Sequence, residues 1–187
     1  MLTTEDLQAF KETAAELDIQ NPQWLLDLVS FETGGTFNPQ IKNPYSSARG
    51  LIQFIDSTAR GLGYNDSLHL VSKFPTVQAQ LAGPVTDYLR PYGPYNSAGE
   101  LFLSVFYPAA RNYSIDTTFE DIFKDRYDAT WRTKYIAFRD ANPRITTPRD
   151  YINLVQGHSK YNIESFFPYL VVALAGMLGY FIIQHRA

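Results

Sequence analysis

The chain contains no cysteine, which excludes a disulfide framework and a thiolate metal site. Its three histidines, His69, His158 and His185, lie too far apart in sequence to read as a metal-binding motif. Basic residues are few and scattered, and the formal net charge of -3 argues against nucleic acid as a partner. We therefore expect no metal, no cofactor and no nucleic acid.

The first residues lack the features of a secretory signal. Residues 1–6 read Met-Leu-Thr-Thr-Glu-Asp, without a basic start or an apolar run.

With 187 residues, the chain is long enough for one sizeable core. Aromatic residues are abundant, with 13 Tyr and 13 Phe. They suit a packed core, and they also suit a groove in which sugar rings stack.

Residues 166–183 form a long apolar stretch without a charge. As a helix that rises about 1.5 Å per residue, the stretch covers roughly 27 Å, close to the hydrocarbon thickness of a bilayer. Tyr169 and Tyr180 lie near its two ends, where membrane proteins place aromatic residues. We predict a transmembrane anchor over residues 165–185, of undetermined orientation. The alternative is a buried helix of a soluble domain, although such helices normally keep a polar face.

Glu32 closes a stretch whose apolar residues share one helix face. At about 100° per residue, Trp24, Leu28 and Phe31 lie on one arc, and Glu32 projects near its middle. An ionised carboxylate facing a core is costly, and a raised pKa keeps such a group protonated near neutral pH. General acid catalysis requires a protonated acid of this kind. The alternative is a glutamate that bends out to solvent or pairs with an arginine.

The rest of the sequence predicts a mainly helical protein, without a convincing strand pair or an internal repeat. A break is expected at Gly83-Pro84, because these residues interrupt an otherwise helical pattern. Capping residues predict helix starts at four further places: Asn21-Pro22, Ser97 with Glu100, Thr118, and Thr147-Pro148.

Three short motifs occur in order between residues 32 and 110. Residues 32–39 read Glu-Thr-Gly-Gly-Thr-Phe-Asn-Pro, residues 48–54 read Ala-Arg-Gly-Leu-Ile-Gln-Phe with Ser-Thr-Ala at 57–59, and residues 105–110 read Val-Phe-Tyr-Pro-Ala-Ala. The set resembles the soluble lytic transglycosylase family of the lysozyme-like superfamily, in particular the branch carried by bacteriophages. That family has Glu-Ser or Glu-Thr, then Phe-x-Pro, then Gly-Leu-Met-Gln before Thr-Ala, and finally Ala-Tyr-Asn-Ala-Gly.

The resemblance covers roughly residues 20–115 and implies a catalytic role for Glu32. It implies substrate-binding roles for four residues: Thr33, Gln53, Phe54 and Tyr107. Thr33 stands where Ser is commoner and keeps a hydroxyl, whereas Pro108 replaces the usual Asn and removes a hydrogen-bonding side chain. The alternative for Gln53 is an amide bonded to backbone, and for Tyr107 it is a core tyrosine.

The expected fold class is mainly α, with a lysozyme-like helical domain followed by a C-terminal transmembrane helix. We predict a lysozyme-like transglycosylase domain over residues 1–115, a helical extension or stalk over residues 116–164, and the anchor over residues 165–185.

The resemblance implies a mechanism with one carboxyl group, whereas ordinary glycoside hydrolysis uses two. Glu32 is expected to protonate the glycosidic oxygen between N-acetylmuramic acid and N-acetylglucosamine. It would then take the proton of the C6 hydroxyl, which closes a 1,6-anhydro ring. Asp27 and Asp56 are candidate second carboxylates, although a solvated helix face and a helix cap explain them more simply.

Three functions fit this sequence. The first is a membrane-anchored lytic transglycosylase of a phage virion, which opens the cell wall locally during genome entry. The second is a lysozyme-type hydrolase on the same fold, and the third is a non-catalytic virion or wall-binding protein. The expected partners are peptidoglycan glycan strands, other virion proteins, and a membrane through the C-terminal helix. We expect a single-pass protein in the virion membrane, with the host inner membrane as the alternative.

Overall fold

The computed structural model describes residues 2–158, and the protein is mainly helical over that range. Extended backbone pairs there only in isolated bridges, such as Arg49 with Phe54. In chain order the α-helices are α1 (Thr4–Glu16), α2 (Pro22–Glu32), α3 (Asp56–Gly61), α4 (Ser67–Lys73), α5 (Val77–Gln80), α6 (Thr86–Leu89), α7 (Ala98–Phe106), α8 (Phe119–Arg126), α9 (Trp131–Ala141) and α10 (Pro148–His158). Shorter turns of 3-10 helix follow α6 (Arg90–Tyr92) and α7 (Pro108–Asn112).

The predicted helix starts are confirmed, because capping side chains satisfy backbone donors that a helix leaves free. The Asn21 side chain accepts the N–H of Gln23 at the start of α2. Ser97 accepts the N–H of Glu100 at the start of α7, and Thr118 caps α8 in the same way. α10 begins at Pro148, directly after Thr147.

The break predicted at Gly83-Pro84 is a kink within Leu81–Val85, between α5 and α6, where the Gly83 backbone leaves helical geometry with φ of -107° and ψ of -107°. Proline cannot donate a backbone hydrogen bond, so regular helical pairing is lost near it. The Thr86 hydroxyl donates to the Leu81 carbonyl at 2.7 Å and satisfies one acceptor there. The chain therefore changes its helical register at this point, and the Thr86 hydroxyl bonds one of the carbonyls beside the kink.

α2 lies at the centre of the fold and contacts α1, α7 and α10. Its buried residues Leu25, Leu28, Val29 and Phe31 belong to one hydrophobic core cluster. This cluster also takes in residues from α1, α7, α8, α9 and α10. The end of α2, which carries Glu32, is therefore covered by the packing of several helices.

Aromatic rings join the C-terminal helices to this core. Phe106 of α7 stacks on Tyr151 of α10, with ring centroids 4.0 Å apart and planes 13° apart. Phe119 of α8 lies 4.5 Å from Phe138 of α9 and 5.8 Å from Phe106. The described part of the predicted extension or stalk, residues 116–158, thus packs against the same core as the residues before it.

The predicted fold class needs a correction. The mainly α content is confirmed, but no helix within residues 2–158 is long and apolar enough to cross a membrane. α1 has 13 residues and, at about 1.5 Å each, covers only about 20 Å of the roughly 30 Å that a bilayer requires. The structure supports a mainly helical fold over residues 2–158, in which no helix spans a membrane, and the predicted anchor, residues 165–185, lies outside the described residues. The expected membrane location stays a prediction.

Replacing Phe119 by alanine tests whether α8 is part of the common core. Its side chain is 0% exposed, so Phe119→Ala should lower the free energy of unfolding by about 3 to 5 kcal/mol, measured by urea denaturation. The control Ile136→Ala, at a side chain that is 46% exposed, should change it by less than about 0.5 kcal/mol. Equal small effects for both variants would show that α8 does not contribute to the core.

Candidate active site

Local sequence explains how α2 presents Glu32. Pro22 stands in the first turn, where a missing N–H does no harm, and the apolar face that follows is buried. After Glu32 the backbone turns into the left-handed region at Gly34 and Gly35, with φ of 59° and 75°. Glu32 is therefore the last helical residue on a core-facing side, as its position in the sequence predicts.

The Glu32 side chain is 7% exposed, and among the described residues its one hydrogen-bond partner is Tyr151. The Tyr151 hydroxyl donates to Glu32 Oε1 at 3.1 Å. Tyr151 is itself fixed, because its ring stacks on Phe106 and meets the edge of Phe31 at 5.8 Å. The carboxyl group is thus held in an aromatic wall formed by α2, α7 and α10.

Burial raises the pKa of Glu32 from its ordinary 4.5 to about 7. The Tyr151 hydrogen bond acts in the opposite direction, since it favours the charged carboxylate, but it only partly offsets the effect of burial. No second carboxylate contributes to the pKa of Glu32 in the part of the chain that the structure describes. The group can therefore hold a proton at neutral pH and can also release it.

Tyr88 of α6 is a further residue near the acid. Burial raises its pKa first of all, and Glu32 is among the charged neighbours that raise it further. The Tyr88 hydroxyl donates to the Ser104 carbonyl at 3.0 Å, which ties α6 to α7. Glu32 thus has two tyrosines in its electrostatic surroundings, and both stay neutral near pH 7.

Thr33, a predicted substrate-binding residue, is completely buried. Its hydroxyl donates to the Val29 carbonyl at 2.7 Å and accepts the N–H of Phe37 at 3.0 Å. These two bonds join the end of α2 to the following loop. In this structure the hydroxyl holds the backbone beside Glu32.

Gln53 and Phe54 lie in the loop before α3. Gln53 adopts a left-handed φ of 53°, and its side-chain N–H donates to the Gly50 carbonyl at 2.9 Å. This bond matches the alternative of an amide bonded to backbone. Gln80 anchors the same loop, because its Oε1 accepts the Leu51 N–H at 2.9 Å. Gly50 has a left-handed φ of 80°, and a Cβ there would lie 2.6 Å from that oxygen, so a substitution would be strained.

Tyr107, predicted from the third motif, lies in the aromatic core. It is 3% exposed, stacks on Phe123 with ring centroids 5.5 Å apart, and shares a hydroxyl contact of 3.2 Å with Tyr127. Burial raises its pKa well above the usual range. These contacts match the alternative of a core tyrosine, and no hydrogen bond joins Tyr107 to Glu32 in the described part of the chain.

The two candidate second carboxylates have other roles. Asp27 accepts a hydrogen bond from the Gln23 side chain at 2.6 Å on the outer side of α2. Asp56, in the first turn of α3, accepts from both the N–H and the hydroxyl of Ser67, at 3.0 and 2.8 Å. Neither contributes to the pKa of Glu32. Within residues 2–158, no three His, Cys, Asp or Glu residues cluster closely enough to hold a metal ion.

The structure adds Tyr151 and Tyr88 to the residues near Glu32, and neither was identified from the sequence. Tyr151 shares a face of α10 with Val155, which marks it as a core residue. Nothing in the local sequence indicates that it meets Glu32, which lies 119 positions earlier.

Comparisons of the chain with protein-family models, curated proteins and solved structures find no match.

Substituting Glu32 by glutamine tests its raised pKa through stability. Because the native state binds this proton more tightly than the unfolded chain, the free energy of unfolding should fall as pH rises from 4.5 to about 7. Glu32→Gln has no proton to lose and still accepts from Tyr151. The free energy of unfolding of Glu32→Gln minus that of the parent should therefore increase by up to about 3 kcal/mol between about pH 4 and about pH 8.

Urea denaturation at several pH values measures this difference. The exposed Glu5→Gln variant serves as a control and should stay parallel to the parent. A constant difference between Glu32→Gln and the parent across the range would contradict the raised pKa.

Proposed function

We propose that the protein is a peptidoglycan lytic transglycosylase that cleaves the β-1,4 bond between N-acetylmuramic acid and N-acetylglucosamine. The observation that carries this proposal is the buried Glu32, whose pKa of about 7 suits a group that gives and regains a proton. The motif resemblance around residues 32–39, 48–54 and 105–110 supports the substrate class and the reaction. The similarity of these motifs to those of the phage branch supports a role in local opening of the wall during genome entry.

In the first step Glu32 acts as a general acid. Its proton passes to the glycosidic oxygen, the bond from C1 of the muramic sugar to that oxygen breaks, and the bonding electrons leave with N-acetylglucosamine as a hydroxyl. The N-acetyl carbonyl of the muramic sugar stabilises the cation that develops at C1. Glu32 is left as a carboxylate that the Tyr151 hydrogen bond stabilises.

In the second step the same group acts as a base. The Glu32 carboxylate takes the proton of the C6 hydroxyl, and the oxygen of that hydroxyl bonds to C1 to close a 1,6-anhydro ring. Glu32 is protonated again, so the cycle is complete and no water is consumed. The opposing effects of burial and Tyr151 keep both states of the carboxyl group accessible near neutral pH.

The absence of a carboxylate partner supports this single-acid route. Hydrolases with two carboxylates place them roughly 5 to 9.5 Å apart across the bond. In the described residues Asp27 and Asp56 are engaged elsewhere, and no acid other than Glu32 lies in the aromatic wall.

Product analysis tests the reaction. The full-length protein should release muropeptides lighter by one water than hydrolysis products, identified by mass spectrometry, and Glu32→Gln should release none. Glu5→Gln should act like the parent, and circular dichroism should show that both variants are folded. Products that carry the added water would support a lysozyme-type hydrolase. No cleavage by the folded parent protein would support a non-catalytic wall-binding protein.

The variant Tyr151→Phe tests how Glu32 is tuned. The kcat/KM of the parent should decline as pH rises through about 7, because the acid form of Glu32 is lost. Without the Tyr151 hydroxyl the carboxylate loses a stabilising bond, so this decline should move upward by up to about one pH unit. The exposed Tyr45→Phe is the matched control and should leave the profile in place. A decline that stays fixed or moves downward in Tyr151→Phe would contradict this tuning.

A further inference from the structure

A row of side chains leads away from Glu32 along α6 and the 3-10 turn that follows it. The ring of Tyr88 lies 6.2 Å from that of Phe54 and 5.8 Å from that of Tyr92. The guanidinium of Arg111 lies 5.8 Å from the Tyr92 ring. We call Phe54, Tyr88, Tyr92 and Arg111 the aromatic row. Tyr88 lies in the electrostatic surroundings of Glu32, and Tyr88, Tyr92 and Arg111 are partly exposed.

Arg111 is a cation without a counter-ion among residues 2–158. Its Nε is buried and has no hydrogen-bond acceptor, and no carboxylate in the described part of the chain forms an ion pair with it. By contrast, Arg90, Arg139 and Arg149 each pair with an acidic side chain. A buried donor without a partner destabilises the folded protein. Arg111 is therefore placed at a cost that an anionic ligand would offset.

Two tyrosine rings hold this guanidinium in position. It lies 5.6 Å from the centre of the Tyr95 ring, and the Tyr95 hydroxyl donates to the Leu89 carbonyl at 2.7 Å. Tyr95 is fully buried and so gives Arg111 a rigid support. Arg111 also lies in the 3-10 turn that Pro108 begins, three residues after the position where the resembling family has an asparagine.

We propose that the aromatic row is a glycan subsite in which Tyr88 and Tyr92 contact sugar rings and Arg111 binds a carboxylate of the N-acetylmuramic acid unit. This inference rests on the proposed function, because it takes the glycan strand at Glu32 as its starting point. Aromatic faces suit sugar rings, and a guanidinium binds carboxylates through paired hydrogen bonds. The carboxylate belongs either to the lactyl group of a peptide-free sugar or to the attached stem peptide, and both offer the same chemistry.

Calorimetric binding to full-length Glu32→Gln, which does not turn over, tests the subsite. Three ligands serve as probes: chitotetraose without a carboxylate, a peptide-free muramic tetrasaccharide with lactyl carboxylates, and the same glycan with stem peptides. Adding Arg111→Gln should weaken binding of a carboxylated glycan by about 10-fold or more and that of chitotetraose by no more than about twofold. The glycan that loses affinity identifies which carboxylate is bound.

Three companion variants make the test specific. Arg126→Gln is the matched control, because Arg126 also has a buried Nε without a partner but lies on α8, outside the row. Added to Glu32→Gln, it should leave the affinity for all three ligands equal to that of Glu32→Gln alone. Arg111→Lys keeps the charge and should bind carboxylated glycans more tightly than Arg111→Gln. Tyr92→Ala should lower the affinity for all three ligands. Unfolding midpoints monitored by circular dichroism should show that every variant is folded.

Equal effects of Arg111→Gln on neutral and carboxylated glycans, or no effect on any of them, would overturn the subsite. Cleavage of peptidoglycan by the parent protein together with this result would leave the proposed function standing. Selective loss of carboxylated ligands in a protein that cleaves nothing would support the subsite and refute the proposed reaction.

Discussion

The burial of one carboxyl group at the end of α2 is the constraint on which the rest of the structure depends. An ionised Glu32 would be costly in the aromatic wall formed with Phe31, Phe106 and Tyr151. Burial therefore raises its pKa to about 7, and the carboxyl group stays protonated below that pH. Only the packing of α10 supplies the Tyr151 hydroxyl. The same helix contacts therefore stabilise the fold and set the proton affinity of the candidate acid.

The burial that raises the pKa of Glu32 for acid catalysis also lowers the stability of the folded protein when Glu32 is ionised. Above neutral pH the buried carboxylate weakens the native state, and the Tyr151 hydrogen bond removes only part of that cost. A site that must alternate between acid and base cannot avoid this conflict, because burial deep enough to favour the acid also penalises the base. Arg111 shows a similar feature, since its Nε is buried without a protein acceptor.

Sequence reasoning succeeded where the determining contacts are local. Asn21 and Thr118 mark helix starts because they bond to backbone N–H groups two or three residues later, and helix periodicity alone predicts that Glu32 faces the core. The sequence does not predict the contact between Tyr151 and Glu32, because these residues lie far apart in the chain. Tyr107 was ambiguous, since a tyrosine at the end of an apolar helix suits a core or a groove, and only the rings of α8 and α9 show that it packs inside. The roles of Thr33, Gln53 and Phe54 in binding sugar stay predictions.

The most direct measurement of the central claim is a titration of the Glu32 carboxyl carbon by nuclear magnetic resonance, assigned with the Glu32→Gln variant. The account predicts that this signal shifts with a midpoint at about 7. A midpoint near the ordinary 4.5 would contradict it, because Glu32 would then be ionised at neutral pH and unable to act as the acid.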